Sequence, residues 1–99
     1  MRVGAARDIP AGHHVVVELD ADRSVAVVNV DGRFYAVDNL CPHRGGPLGE
    51  GRLTGTVLHC PWHGWQFCVT TGRMVQNRAV RIACYPVVVE NGEVMVVLP

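Results

Sequence analysis

Ser24–Val37 reads SVAVVNVDGRFYAV. Two short apolar runs, Ser24 to Val30 and Arg33 to Val37, meet at Asp31–Gly32. That dipeptide supplies the positive φ angles a two-residue hairpin turn needs, so the stretch reads as two antiparallel strands. Working outward, His14 to Leu19 (HVVVEL) is a further strand, set off from Ser24 by a turn at Asp20–Ala21–Asp22. Near the C-terminus, Tyr85 to Glu90 (YPVVVE) and Glu93 to Leu98 (EVMVVL) flank Asn91–Gly92, a second hairpin of the same kind. Helical periodicity is weak and no internal repeat appears. Val-rich runs bounded by turn residues predict an all-β fold, with four or five of these strands forming an antiparallel scaffold.

Between the hairpins, from about Asn39 to Gly72, the character changes. Gly45, Gly46, Gly49, Gly51, Gly55, Gly64 and Gly72 fall here, with Pro42, Pro47 and Pro61, both Trp and three of the five His. This segment reads as a loop-rich insertion carried by the scaffold, the usual placement of reactive groups.

Length and charge narrow the function classes. The chain has 99 residues, so residues 1–99 are expected to form a single domain. A chain this short has a modest core, so a bound metal would add to its stability. Nine basic residues, all Arg, balance nine acidic ones, and no basic patch of the sort that binds nucleic acid stands out. No apolar run approaches the roughly 18 residues of a membrane span, and Met1 to His14 has no signal-peptide core. A cytoplasmic address is therefore expected, with no membrane contact. There, four cysteines read as metal ligands or free thiols before disulfides.

The chemistry concentrates in Cys41–Pro42–His43–Arg44–Gly45–Gly46–Pro47 and Cys60–Pro61–Trp62–His63–Gly64–Trp65. Each loop offers one thiolate and one imidazole, and sixteen residues separate His43 from Cys60. Glycines after each pair allow tight backbone turns, whose N–H groups can face an anionic centre. A zinc site accepts two Cys and two His, but zinc hairpins usually pair like with like. A cysteine nucleophile with a histidine base needs only one of the loops. A two-iron cluster with His₂ replacing Cys₂ on one iron uses all four residues.

Cys41-x-His43, sixteen residues, then Cys60-x-x-His63 resembles the Rieske [2Fe–2S] signature, together with Pro42, Arg44, Gly45–Gly46, Pro61, Gly64 and Thr71–Gly72. The resemblance implies a Rieske-type antiparallel sheet scaffold with an inserted cluster-binding subdomain over about 39–72. It implies that Cys41 and Cys60 hold a buried iron, and that His43 and His63 hold an outer iron near the surface. Two ferric ions, two sulfides and two thiolates sum to no net charge. All four protein positions are used, which favours outer-sphere electron transfer over substrate binding at the cluster.

High-potential relatives carry a disulfide beside the cluster, where this chain has Gly46 and Trp62. They also place Ser and Tyr hydroxyls where this chain has Trp65 and Phe67. Fewer hydrogen bonds to the sulfurs imply a potential at the low end of the range, which begins at roughly −150 mV. Such a chain is similar to the ferredoxin components of bacterial aromatic-ring-hydroxylating dioxygenase systems. That implies an electron carrier, not itself an enzyme, between a flavin-dependent NAD(P)H reductase and a terminal oxygenase, and a monomer is expected. The small subunit of assimilatory nitrite reductase is the alternative resemblance.

Other residues take simpler readings. Trp62 is expected at an exposed docking rim and Trp65 as a shield for the cluster. His13 and His14 are expected to be exposed or at the core edge. His59 is not needed as a ligand. Arg44 suits either a partner contact or an ion pair. Cys68, where relatives usually carry an acid, and Cys84 are expected to be buried free thiols.

Overall fold

The computed structural model describes residues 1–20, 23–40, 47–62 and 64–98. Among them the strands, in chain order, are β1 (Arg2–Ala5), β2 (His14–Glu18), β3 (Ser24–Val30), β4 (Arg33–Asp38), β5 (Leu53–Thr54), β6 (Val57–His59), β7 (Gln66–Cys68), β8 (Cys84–Tyr85), β9 (Val87–Glu90) and β10 (Glu93–Val96). They make three antiparallel sheets, ordered β2-β3-β4-β8, β1-β10-β9 and β5-β6-β7.

β3 organises the molecule. Successive strand side chains point to opposite faces, and here both faces are covered. Val25 and Val27 pack with Ile9, Ala36, Val94 and Val96 on one side. Ala26 and Val28 pack with Val37, Leu48, Leu58, Cys60 and Phe67 on the other. That is why the run Val25–Val28 is apolar without alternation: one set faces the β1-β10-β9 side, the other faces the small sheet. The expected hairpin is present, with Asp31 at φ +51° and Gly32 at φ +90°. The second is also present, with Asn91 at φ +52° and Gly92 at φ +75°. Positive φ at both turn residues matches the right-handed twist of the flanking strands.

Three features differ from the sequence reading. The expected strand Tyr85–Glu90 is divided: β8 pairs with β4, and β9 pairs with β10 in another sheet. Pro86 lies at the division; it has no N–H to give to a ladder, and its carbonyl accepts from the Val97 N–H at 2.9 Å. The N-terminal segment, where the sequence marked no strand, supplies β1, which pairs with β10. The loop-rich middle carries a sheet of its own, with Leu58 and Phe67 fully buried beneath it. No helix among the described residues is long and apolar enough to cross a membrane.

Candidate metal centre

Both motif-bearing loops are closed at their feet. Leu40 and Pro47 form an antiparallel bridge, and the Leu48 N–H donates to the Asn39 carbonyl at 2.6 Å. The six residues between that bridge include Cys41 and His43, which lie outside the described residues. In the second loop the Cys60 N–H donates to the Trp65 carbonyl at 2.7 Å, and the Gly64 N–H donates back to the Cys60 carbonyl at 3.2 Å. The chain therefore reverses within residues 61–64, with Gly64 at φ +71°, a left-handed conformation suited to glycine. His63 also lies outside the described residues.

The second loop is graded in exposure. Cys60 is 4% exposed and packs among Leu58, Phe67 and Val28. Pro61, Trp62 and Gly64 are exposed, Trp62 at 53%. Trp65 is half-buried, its ring centroid 6.4 Å from that of Phe67 at 43°. A buried thiol at the base of a tight loop, beneath an exposed tip, fits a centre with one thiolate-held inner side and one outer side. Trp65 and Phe67 give the loop an aromatic wall whose side chains carry no hydroxyl.

Amide side chains tie the loops to the rest of the fold, a role with no signal in the sequence. Asn39 is buried; its amide N–H donates to Ser24 Oγ at 3.0 Å, and its carbonyl accepts from the Gly49 N–H at 2.6 Å. His14 adds a 2.6 Å hydrogen bond from Nε2 to the Gly49 carbonyl, so the first loop's return segment is fixed to β2 and β3. Gln76 does the same for the second loop. Its amide donates to the Gly64 carbonyl at 3.0 Å and accepts from the Gln66 N–H at 3.1 Å. The two loops also meet through backbone: a Cβ on Gly51 would collide with the His59 carbonyl, and the His59 N–H donates to the Arg52 carbonyl at 2.9 Å. Asn39 marked only an edge of the motif region in the sequence. Gln76 has no local signal, because the Phe67–Met74 bridge brings it to the loop.

The other singled-out residues divide. His13 is exposed and His14 half-buried, as expected; His59 is half-buried on β6, and Arg44 lies outside the described residues. Cys60, Cys68 and Cys84 form no disulfide among the described residues. The expectation that Cys68 and Cys84 are buried is corrected: Cys68 is half-buried and Cys84 exposed. Strand alternation is the reason. Phe67 and Val69 take the inward positions beside Cys68, and Tyr85 takes the inward position beside Cys84.

Comparison with known proteins extends the picture. The Rieske [2Fe–2S] domain family matches residues 1–86. The ferredoxin component of the naphthalene 1,2-dioxygenase/salicylate 5-hydroxylase systems of Ralstonia sp. is 38% identical, covering 89% of this chain and 85% of the relative. A chain in the complex of reduced oxygenase and oxidised ferredoxin of carbazole 1,9a-dioxygenase superposes with a TM-score of 0.92 at 36% identity. That match covers 98% of this chain and 100% of the other. A Mycobacterium tuberculosis protein assigned as an NADH-dependent nitrite reductase small subunit superposes with a TM-score of 0.86 at 25% identity, covering 97% of this chain and 91% of the other.

Proposed function

The chain belongs to the Rieske [2Fe–2S] domain family, and from that premise we propose that Cys41, His43, Cys60 and His63 hold its cluster. The cluster supplies a one-electron couple. The protein is an electron carrier of the ferredoxin kind, as its relatives are. In this reading Cys60 anchors the buried side of the centre, while the exposed Trp62 offers apolar contact to a partner at the second loop. The partners are a flavin-dependent NAD(P)H reductase, which delivers the electron, and a terminal oxygenase, which receives it. Residues 1–99 then act as one Rieske domain with its cluster-binding subdomain over about 39–72, monomeric and cytoplasmic.

The observation that carries this reading is the exposure gradient of the second loop, from Cys60 at 4% to Trp62 at 53% within two residues. It supports a redox centre one loop's depth from the surface, where a partner could exchange electrons with it. Likeness to the nitrite reductase small subunit favours a second reading, as an enzyme subunit; the ferredoxin relatives are the more similar in sequence.

EPR of the purified protein tests the centre. An oxidised state without signal, and a dithionite-reduced state with average g below 2, is expected. Bound zinc and no reduced signal would overturn the cluster. Rapid mixing of the reduced protein with a dioxygenase-type oxygenase tests the partner. Reoxidation within the mixing experiment supports the carrier, and a tight complex formed only with a nitrite reductase catalytic chain supports the subunit.

A further inference from the structure

Two cysteines lie outside the proposed cluster site, and the fold gathers them at one turn. Cys68 ends β7, and its Sγ lies 3.0 Å from Thr70 Oγ1 and 4.0 Å from Thr56 Oγ1. The chain then turns back on itself. The Gly72 N–H donates to the Cys68 carbonyl at 2.7 Å, and the Ile82 N–H donates to the Gly72 carbonyl at 2.8 Å. Cys84, two residues on, places its sulfur over Gly72, where an added Cβ would stand 2.8 Å from Sγ. Thr70, which touches the Cys68 sulfur, lines the same surface cleft as Cys84.

We propose that Cys68 and Cys84 form a peroxide-oxidisable thiol pair, with Cys68 as the attacking sulfur and Cys84 as the resolving one. The surroundings of the two sulfurs differ in the required sense. Partial burial raises the Cys68 pKa, but hydrogen bonds at Thr70, Thr71 and Thr56 outweigh it and bring the thiol below its ordinary value. Burial, followed by the nearby Asp38 and Cys68 charges, raises Cys84, and Arg81 only partly offsets this. A thiolate-prone, accessible sulfur beside a protonated second thiol is the arrangement of redox-responsive pairs.

The chemistry balances with hydrogen peroxide as the oxidant. The Cys68 thiolate attacks one peroxide oxygen, the O–O bond breaks, and hydroxide leaves, giving a sulfenic acid. The Cys84 sulfur then attacks the Cys68 sulfur; the S–S bond forms, the S–O bond breaks, and the proton from Cys84 leaves with the oxygen as water. Two thiols lose two electrons to one peroxide. The product would join β7 of the small sheet to β8 of the scaffold.

The test is one equivalent of hydrogen peroxide on the holoprotein at pH 7, followed by alkylation, digestion and mass spectrometry. The expected result is a peptide linked through Cys68 and Cys84, with two thiols lost per peroxide, recovery of both by dithiothreitol, and unchanged cluster absorbance. With Cys84→Ser, dimedone should trap a sulfenic acid at Cys68. With Cys68→Ser, oxidation of Cys84 should slow by about tenfold or more. Thiol loss without the linked peptide, or Cys84 oxidised as fast in Cys68→Ser as in the parent, overturns the proposal. Because the thiols are counted directly, this outcome is separate from the identity of the electron partners.

Discussion

The central sheet and the small sheet are held together by different means. β3 and β4 run for seven and six residues, are paired throughout, and bury side chains on both faces. β5, β6 and β7 have two or three residues each. Their apolar support is Leu58 and Phe67, which share a core with Ala26 and Val28 of β3, and their loops are set by amide contacts from Asn39 and Gln76. The scaffold therefore carries its own stability. The cluster region borrows it from the scaffold, from a few polar ties and, in the proposed reading, from the metal.

Removing the cluster should strain this division most. In the proposed reading, Cys60→Ala abolishes cluster binding outright, because the buried thiolate has no substitute. Hydrogen exchange on the cluster-free protein should show amides of β6 and β7 exchanging about a hundredfold faster, while β3 and β4 keep their protection. Equal loss of protection in both sheets would show that the scaffold also depends on the metal and would break the comparison. Next in size is Phe67→Ala. Phe67 is fully buried, so the truncation should cost about 3–5 kcal/mol. In a denaturant titration the cluster colour should bleach before the far-ultraviolet β signal is lost; coincident transitions would mean the two regions unfold as one.

What the sequence disclosed follows the same boundary. β3, β4 and their turn were legible because the deciding signals are local: an apolar run, then Asp31–Gly32. The pairing of β1 with β10 was not, since four residues with one Val carry no pattern and their partner lies at the other end of the chain. Nor was the division at Pro86, because apolar strands look alike whichever sheet they join. At the site, one Cys and one His in each loop marked the candidates, and the resemblance to the Rieske signature gave them their roles. Of the four, only Cys60 falls among the described residues, and it is buried. Gln76 stayed hidden because its contact with Gly64 depends on how the chain folds back after β7.

Gln76 offers a way to alter the site without the scaffold. Gln76→Glu keeps an acceptor for the Gln66 N–H, loses the donor to Gly64, and adds negative charge beside the second loop. Reduction also adds negative charge there, so the midpoint potential should fall. The expected drop is about 20–60 mV, the one-electron equivalent of about 0.5–1.5 kcal/mol. Gln76→Ala should shift it less, and neither change should lower the thermal midpoint by more than about 8 °C, the equivalent of about 1 kcal/mol. Redox titration alongside calorimetry checks both; a large loss of stability with an unchanged potential would make Gln76 a structural tie only.

Tyr85 supplies the opposite case, a residue of the scaffold. Its hydroxyl donates to Asp38 Oδ1 at 2.7 Å, across the β4–β8 pair. That bond raises the phenol pKa, with burial and the Asp38 charge adding to it and Arg23 opposing. The folded state thus favours the neutral phenol. The stability this contributes is fully present below the ordinary tyrosine value of about 10 and is lost as pH rises through the raised folded value. Tyr85→Phe should therefore cost about 0.5–1.5 kcal/mol at pH 7, and its stability should converge on that of the parent in increasingly alkaline buffer. The reduction potential should stay where it was, since the lost bond ties scaffold strands and not a motif loop. A potential shift in Tyr85→Phe as large as that in Gln76→Glu would show that β4 transmits scaffold changes directly into the first loop, through Asp38 and the Asn39 amide that follows it.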